Sequence, residues 1–255
     1  MSPSLVDMRG ITVSFGGSII ALRDVDFHVR AGEVVALLGD NGAGKSTLIK
    51  VLSGVQRPQS GSIWFSGEQV TLSSPQHARC LGVETVYQDL ALIPLMSVAR
   101  NFFLGREPLR RLGPLRLLDH VGMDRLACEA LAGVGIDISD PSQPVGRLSG
   151  GERQSIAIAR AMHFGSRILV LDEPTSALSI GETRKVLGYA RAARDRGLGV
   201  VFITHNLHHV FEVADRIAVL FHGRNAGSYA VEDLDPESAA HLVMEGSLPI
   251  SGSWS

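Results

Sequence analysis

Two hydrophobic periods alternate along this chain, and the points where one gives way to the other predict its elements. Before about residue 63, runs such as Ile11-Thr12-Val13-Ser14-Phe15 and Asp24-Val25-Asp26-Phe27-His28-Val29 carry apolar residues at every second position and read as strands between turn glycines. Val34-Val35-Ala36-Leu37-Leu38 is apolar throughout, as a strand buried on both faces must be. From about 89 to 146 the β-branched runs disappear. Leu, Ala and Arg recur at helical spacing, broken by Pro94, Pro108, Pro114, Pro141 and Pro144, which predicts an inserted helical subdomain. Beyond it, helices over 151–162, 181–195 and 206–214 alternate with strands over 168–171, 200–204 and 216–221. That alternation predicts an α/β fold in which helices cover a parallel sheet. One helix is expected in the tail from about 232 to 255, and the last eight residues are expected to fray.

Composition narrows the class. At 255 residues with 45% hydrophobic content, the chain suits a single large domain over 1–255 with a sizeable core. A formal net charge of -2 gives no general attraction to nucleic acid or anionic lipid, and no nucleic-acid partner is expected. The one local basic cluster, Arg106, Arg110, Arg111 and Arg116, is as well explained by a solvated helix face as by a partner surface. Cys80 and Cys128 are too few for a disulfide framework, lack metal-site spacing and are expected to be small buried residues. The amino-terminal residues lack a basic start followed by an apolar segment, and no apolar stretch approaches the ~20 residues needed to cross a bilayer. The expectation is a protein soluble by itself in the cytoplasm.

The most informative stretch follows the buried strand. Gly39-Asp40-Asn41-Gly42-Ala43-Gly44-Lys45-Ser46-Thr47 fits the phosphate-loop pattern G-x-x-x-x-G-K-[ST] at every fixed position, and a helix over 47–52 follows it. Glycines let the backbone curl so that successive N–H groups face phosphate oxygens. Lys45 reaches the β- and γ-phosphates, the Ser46 hydroxyl ligates Mg²⁺, and the helix dipole favours the anion. A nucleoside triphosphate is thereby implied. Ile168-Leu169-Val170-Leu171-Asp172-Glu173 is an apolar strand ending in two carboxylates, at the end of a parallel strand where ligands bind. Asp172 is suited to hold Mg²⁺ opposite Ser46, and Glu173 to polarise an attacking water.

Leu148-Ser149-Gly150-Gly151-Glu152 opens the helix after the inserted subdomain, and with it the chain resembles the ATP-binding subunits of ABC transporters, whose signature begins Leu-Ser-Gly-Gly-[Gln/Glu]. The resemblance spans about residues 5 to 230. It implies an ABC-type P-loop ATPase with a RecA-like parallel-sheet core, an N-terminal antiparallel β subdomain and an inserted helical subdomain. It also implies a head-to-tail homodimer, with ATP between Lys45 of one chain and Ser149 of the other. Gln88 looks like the Q-loop glutamine that senses Mg²⁺ and the attacking water. His205 looks like the switch histidine that contacts the γ-phosphate; a metal cluster of His205, His208 and His209 is the weaker rival, since no third ligand on one face is evident. Phe15 lies where the family keeps an aromatic that stacks on adenine, against the ordinary alternative of a core aromatic.

One position departs from the family pattern: after Pro174-Thr175-Ser176-Ala177-Leu178, where the family usually has Asp, stands Ser179. That loop communicates across the dimer, so coupling between the two ATP sites is the property at stake. The segment 90–107 is similar to the same region of bacterial monosaccharide importers of the ribose, xylose and fructose type, and the single set of motifs to the single-domain fructose-type variant. This implies two copies on the cytoplasmic side of the inner membrane, bound to separate permease subunits and served by an extracytoplasmic sugar-binding protein. Leu95 and Phe103 are expected on the permease-facing surface. A cytosolic ABC-type ATPase acting on ribosomes or DNA, or an importer for another solute, remains the alternative; a phosphate-loop kinase or GTPase would lack the signature.

Overall fold

In a computed structural model, the structure describes residues 4–248 except 17, 113, 114, 137 and 139. The strands, in chain order, are β1 (Ser4–Phe15), β2 (Ile19–Arg30), β3 (Glu33–Leu38), β4 (Ser60–Phe65), β5 (Glu68–Val70), β6 (Val83–Val86), β7 (Leu109–Leu112), β8 (Leu115–Leu118), β9 (Ile168–Asp172), β10 (Gly199–Ile203), β11 (Arg216–Phe221) and β12 (Arg224–Ala230). The helices are α1 (Lys45–Leu52), α2 (Pro75–Cys80), α3 (Val98–Phe102), α4 (His120–Ala132), α5 (Gly150–His163), α6 (Ile180–Asp195), α7 (Leu207–Val213) and α8 (Pro236–Glu245). Apart from Leu248, the expected frayed end lies outside the described residues.

Two sheets form the body. A six-stranded sheet runs β12-β11-β3-β10-β9-β6, parallel except for β12, and a four-stranded antiparallel sheet runs β2-β1-β4-β5. The all-apolar central strands follow from burial on both faces. Val35 and Leu37 of β3 point into a core shared with the antiparallel sheet and with Leu48, Ile49, Val51 and Leu52 of α1, whereas Val34, Ala36 and Leu38 point into the core beneath α5, α6 and α7. β10 divides the same way, Val201 and Ile203 against Val200 and Phe202.

The segment 89–146 forms its own small core, in which Val98, Phe102 and Phe103 meet Met123, Ala127 and Leu131 of α4 and Ile156 of α5. It is not purely helical. The hairpin β7-β8 lies within it, Leu109 opposite Leu118 and Leu112 opposite Leu115, because Pro108 and the Gly113-Pro114 pair break the helical period and leave two segments too short for a helix. Two residues expected to share a partner-facing surface separate here: Leu95 is 91% exposed, but Phe103 is 4% exposed and packs edge-on against Phe102 and Phe164. Phe103 is therefore core, since its bulk is what closes the small cluster. The cysteines depart from expectation as well. Cys80, at the open end of the two-turn α2, is exposed, and Cys128 is half-buried near the Ile138 carbonyl. Arg106 is the member of the basic cluster with a defined setting, bound to Glu84 at 2.6 Å and lying 4.6 Å over the Phe164 ring.

At the amino-terminal edge of the large sheet sits a buried ion pair. Glu33 opens β3 and Arg216 opens the neighbouring β11; the guanidinium meets both carboxylate oxygens, at 2.7 and 3.1 Å, and also donates to the His28 carbonyl and the Ser228 hydroxyl. Burial alone would raise the Glu33 carboxyl, but hydrogen bonds and charge from Arg216, with the Arg30 N–H, outweigh it and hold the group below its ordinary value. A carboxyl depressed in the folded state contributes stability that is complete above its unfolded pKa and lost as pH falls through the folded one. Replacing Arg216 with Met strands the carboxylate, and we expect it to cost about 3–5 kcal/mol in urea unfolding at neutral pH. The deficit should shrink toward acid pH, where the stranded carboxyl takes up a proton.

Candidate functional site

The site is built where parallel strands end. β10 lies between β3 and β9, and Ile203 is in register with both Leu37 and Asp172, so the segments that leave these three strands emerge side by side. The first is the loop 39–44. Gly44 sits at φ +103°, and a Cβ there would stand 2.7 Å from the Ala21 carbonyl and 2.7 Å from Leu22 Cδ2; only glycine lets β2 pack this closely on the loop. Lys45 opens α1 and folds its ammonium back onto the Gly39 and Asp40 carbonyls at 2.5 and 3.1 Å. Burial lowers the lysine pKa, against the opposing pull of Glu173, Asp40 and Asp172.

Asp172 closes β9. Burial, with the adjacent Glu173 charge, raises its carboxyl, and Lys45 works against that rise. Glu173 adopts a left-handed φ of +48°, rare for a side-chain-bearing residue and of the kind that clusters at functional sites. The turn is held by the Glu173 N–H on the Ile203 carbonyl at 2.9 Å and by the Ser176 hydroxyl on the Glu173 carbonyl at 3.0 Å. It aims the side chain at His205, whose Nδ1 is 3.1 Å from Oε1. The other carboxylate oxygen, Oε2, is buried without a partner among the described residues.

These groups line one open cleft of about 440 Å³, bounded by Asp40, Asn41, Gly42, Ala43, Gly44, Lys45, Ser46, Thr47, Gln88, Asp172, Glu173 and His205. A single lysine thus shares the cleft with three carboxylates, Asp40, Asp172 and Glu173, beside a glycine-rich loop that leads into a helix start, a setting suited to a polyanion accompanied by a cation. Ala21, Ser176 and Ile203 also line it and carried no motif that sequence reasoning could have used. Gly39 lies on the far side of the loop, in a neighbouring cavity bounded by His205 and α8. Phe15 stands apart from the cleft lining, at the end of β1. At 42% exposure it is a surface aromatic and not a core one, beside exposed Ile19 and Ile20.

Leu148, Ser149, Gly150, Gly151 and Glu152 are not brought to this cleft either. Ser149 caps α5 in a reciprocal pair, accepting the Glu152 N–H while the Glu152 carboxylate takes the Ser149 N–H. Ser179 caps α6 in the same way with Glu182. Glu182 does more than cap: its Oε1 also accepts the Gly151 N–H at 3.1 Å, joining the starts of two helices through one carboxylate. A Cβ at 151 would overlap that oxygen, so any side chain there would displace the Glu182 carboxylate from the Gly151 N–H.

Known proteins resemble this chain in sequence and in fold. The family model described as "ABC transporter" matches residues 22–176. The xylose/arabinose import ATP-binding protein XylG of Sulfolobus acidocaldarius is 47% identical over 220 residues, covering 86% of each chain. The fructose import ATP-binding protein FrcA of Rhizobium meliloti is 44% identical, over 90% of this chain and 91% of that one. A ribose import ATP-binding protein, RbsA 1 of Rubrobacter xylanophilus, is 45% identical over 89% of this chain but only 44% of its own length. A solved ATP-binding cassette of an ABC transporter superposes with a TM-score of 0.82 at 24% identity, covering 95% of this chain and 98% of that one, which is a likeness of fold.

Gly44→Ala is expected to destabilise the fold by more than about 1 kcal/mol, because the new methyl meets the β2 backbone at an unfavourable φ. Urea unfolding should show it. Gly42→Ala, where a Cβ meets nothing, should cost less.

Proposed function

The chain belongs to the ABC transporter family of ATP-binding, ATP-hydrolysing proteins, and on that premise we propose that it is the motor subunit of a monosaccharide importer. The relatives that it matches over nearly their whole length are named for import of xylose/arabinose and of fructose. In this reading two copies work on the cytoplasmic face of a separate membrane permease, fed by an extracytoplasmic sugar-binding protein. Among the described residues no helix is long and apolar enough to cross a membrane.

The observation that carries the hydrolytic half of the proposal is Glu173: one oxygen on His205, the other buried and without a partner among the described residues. A free, desolvated carboxylate oxygen is a base awaiting a water proton. The residues present also fit a divalent cation, since the Ser46 hydroxyl, the Gln88 amide and the Asp172 carboxylate bring hard oxygen donors to one cleft. Ser46, Gln88 and Asp172 would hold Mg²⁺, which would neutralise phosphate charge when bound. The loop N–H groups bind the phosphates, and Lys45 exchanges its carbonyl contacts for phosphate oxygens. His205, largely exposed at the rim, orients the γ-phosphate and Glu173 receives the proton of the attacking water. Phe15 stacks on the base. Because Leu148, Ser149, Gly150, Gly151 and Glu152 stand outside the cleft of their own chain, they would act on the nucleotide of the second copy.

Glu173→Gln should keep ATP binding, cut turnover by about 10²-fold or more, and accumulate as an MgATP-dependent dimer in sedimentation. Near-parental turnover, or a monomer in saturating MgATP, would overturn the assignment.

For the transport half, cells deleted for this gene should lose uptake of at least one radiolabelled pentose or hexose. Complementation with Leu95→Glu should fail to restore uptake while the purified variant retains basal ATPase activity, because Leu95 is 91% exposed and away from the phosphate loop. Unchanged uptake of every sugar tested would sink the sugar reading.

A further inference from the structure

The Glu173 turn and the His205 segment leave neighbouring strands, and one side chain that lines neither cavity at the phosphate loop is bonded to both segments. His209, on α7, places Nδ1 3.1 Å from the Thr175 hydroxyl and Nε2 3.3 Å from the amide nitrogen of Asn206. Thr175 is buried and lies two residues beyond Glu173; Asn206 directly follows His205.

Asn206 decides which ring nitrogen carries the proton. Its Oδ1 caps α7 by accepting the His208 N–H at 3.0 Å, and this turns Nδ2, a donor only, toward His209. Nε2 must therefore accept, the proton resides on Nδ1, and Nδ1–H donates to Thr175. A swap of tautomer would set two donors against each other at Asn206 and reverse the bond to Thr175, whose hydroxyl would then have to donate to Nδ1.

We propose that His209 is a positioning residue for hydrolysis, a neutral imidazole clamp between Thr175 and Asn206 that sets Glu173 against His205. The inference rests on the roles given to Glu173 and His205 above. A clamp is needed because Glu173 holds a left-handed φ, a conformation that persists only where its surroundings fix it. The Glu173 N–H bond to Ile203 anchors the start of the turn and the Ser176 hydroxyl closes it internally. The Thr175–His209 bond ties its far side to the helix that carries the His205 segment.

The clamp is also sensitive to protonation. A charged ring would present an Nε2–H to a donor that cannot accept it. Burial disfavours the charge first, His208 adds to that and Glu212 favours the charge, while His205 again opposes it; the His209 pKa is lowered. From α6, Arg184 faces the same cavity, and Arg191 binds Glu212 at 3.2 Å, drawing off part of its attraction. The ring thus stays neutral to lower pH than an ordinary histidine, and the clamp fails as pH falls through that lowered value.

Steady-state ATPase of the full chain tests this. His209→Ala should lower kcat about ten-fold or more with KM for ATP within about two-fold, since the loss lies in placing the base and not in holding nucleotide. His209→Asn sets an amide donor near the Nδ1 position; it should recover most of kcat and lose the acid limb that His209 contributes to the pH profile of kcat. Parental kcat in His209→Ala would overturn the inference. So would a loss that tracks a fall in melting temperature without recovery in His209→Asn, or an acid limb identical in the parent and His209→Asn. If Glu173→Gln itself turned over at the parental rate, the assignment of Glu173 would fall first and take this inference with it.

Discussion

Everything at the cleft depends on the hydrogen-bonded register of three parallel strands. Because Leu37, Ile203 and Asp172 stand level across β3, β10 and β9, the phosphate loop, the His205 segment and the carboxylate turn leave the sheet at one height. A slip of one residue in β9 would turn its apolar side chains to the opposite face and carry Asp172 out of line with Lys45. Because Ile168 and Val170 are packed into one core and Leu169 and Leu171 into the other, a slip would mismatch side-chain shapes on both faces at once. The apolar cores on either face therefore do more than stabilise; they fix the alignment from which the chemistry starts.

Within that frame the cleft is under electrostatic tension. Lys45, Asp172 and Glu173 share a partly desolvated space, the lysine lowered and Asp172 raised. Each group is easier to hold once phosphates and a cation share the cleft, since phosphate charge suits the lysine and loop amides while a cation suits the carboxylates. The strained φ at Glu173 belongs to the same design: the fold sets the carboxylate where the chain would not place it unaided.

The second constraint joins helices. Glu182 serves the cap of α6 and the start of α5 together, so one carboxylate ties the loop after Glu173 to the start of the helix that Ser149 caps. Ser179, which departs from the family's usual Asp, has a definite physical part here: its hydroxyl and N–H both engage Glu182. An aspartate there would add a second negative charge beside that carboxylate.

The sequence by itself determined much of this. The spacing in 39–47, the apolar strand ending in Asp172 and Glu173, and the alternation of periods beyond residue 150 are local patterns, and local patterns are what the physics of strands, turns and helix starts writes into a chain. Where reading failed, the deciding interaction lay between distant segments. Helical spacing alone could not disclose that β7-β8 pair as a hairpin, or that Phe103 turns inward onto Phe164 while Leu95 turns outward. Nothing about Glu182 announced a bond to Gly151, 31 residues away, or about His209 a bond to Thr175, 34 away. Tertiary structure alone decided these, because they exist only once the register of the sheet has brought its strand ends and flanking helices together.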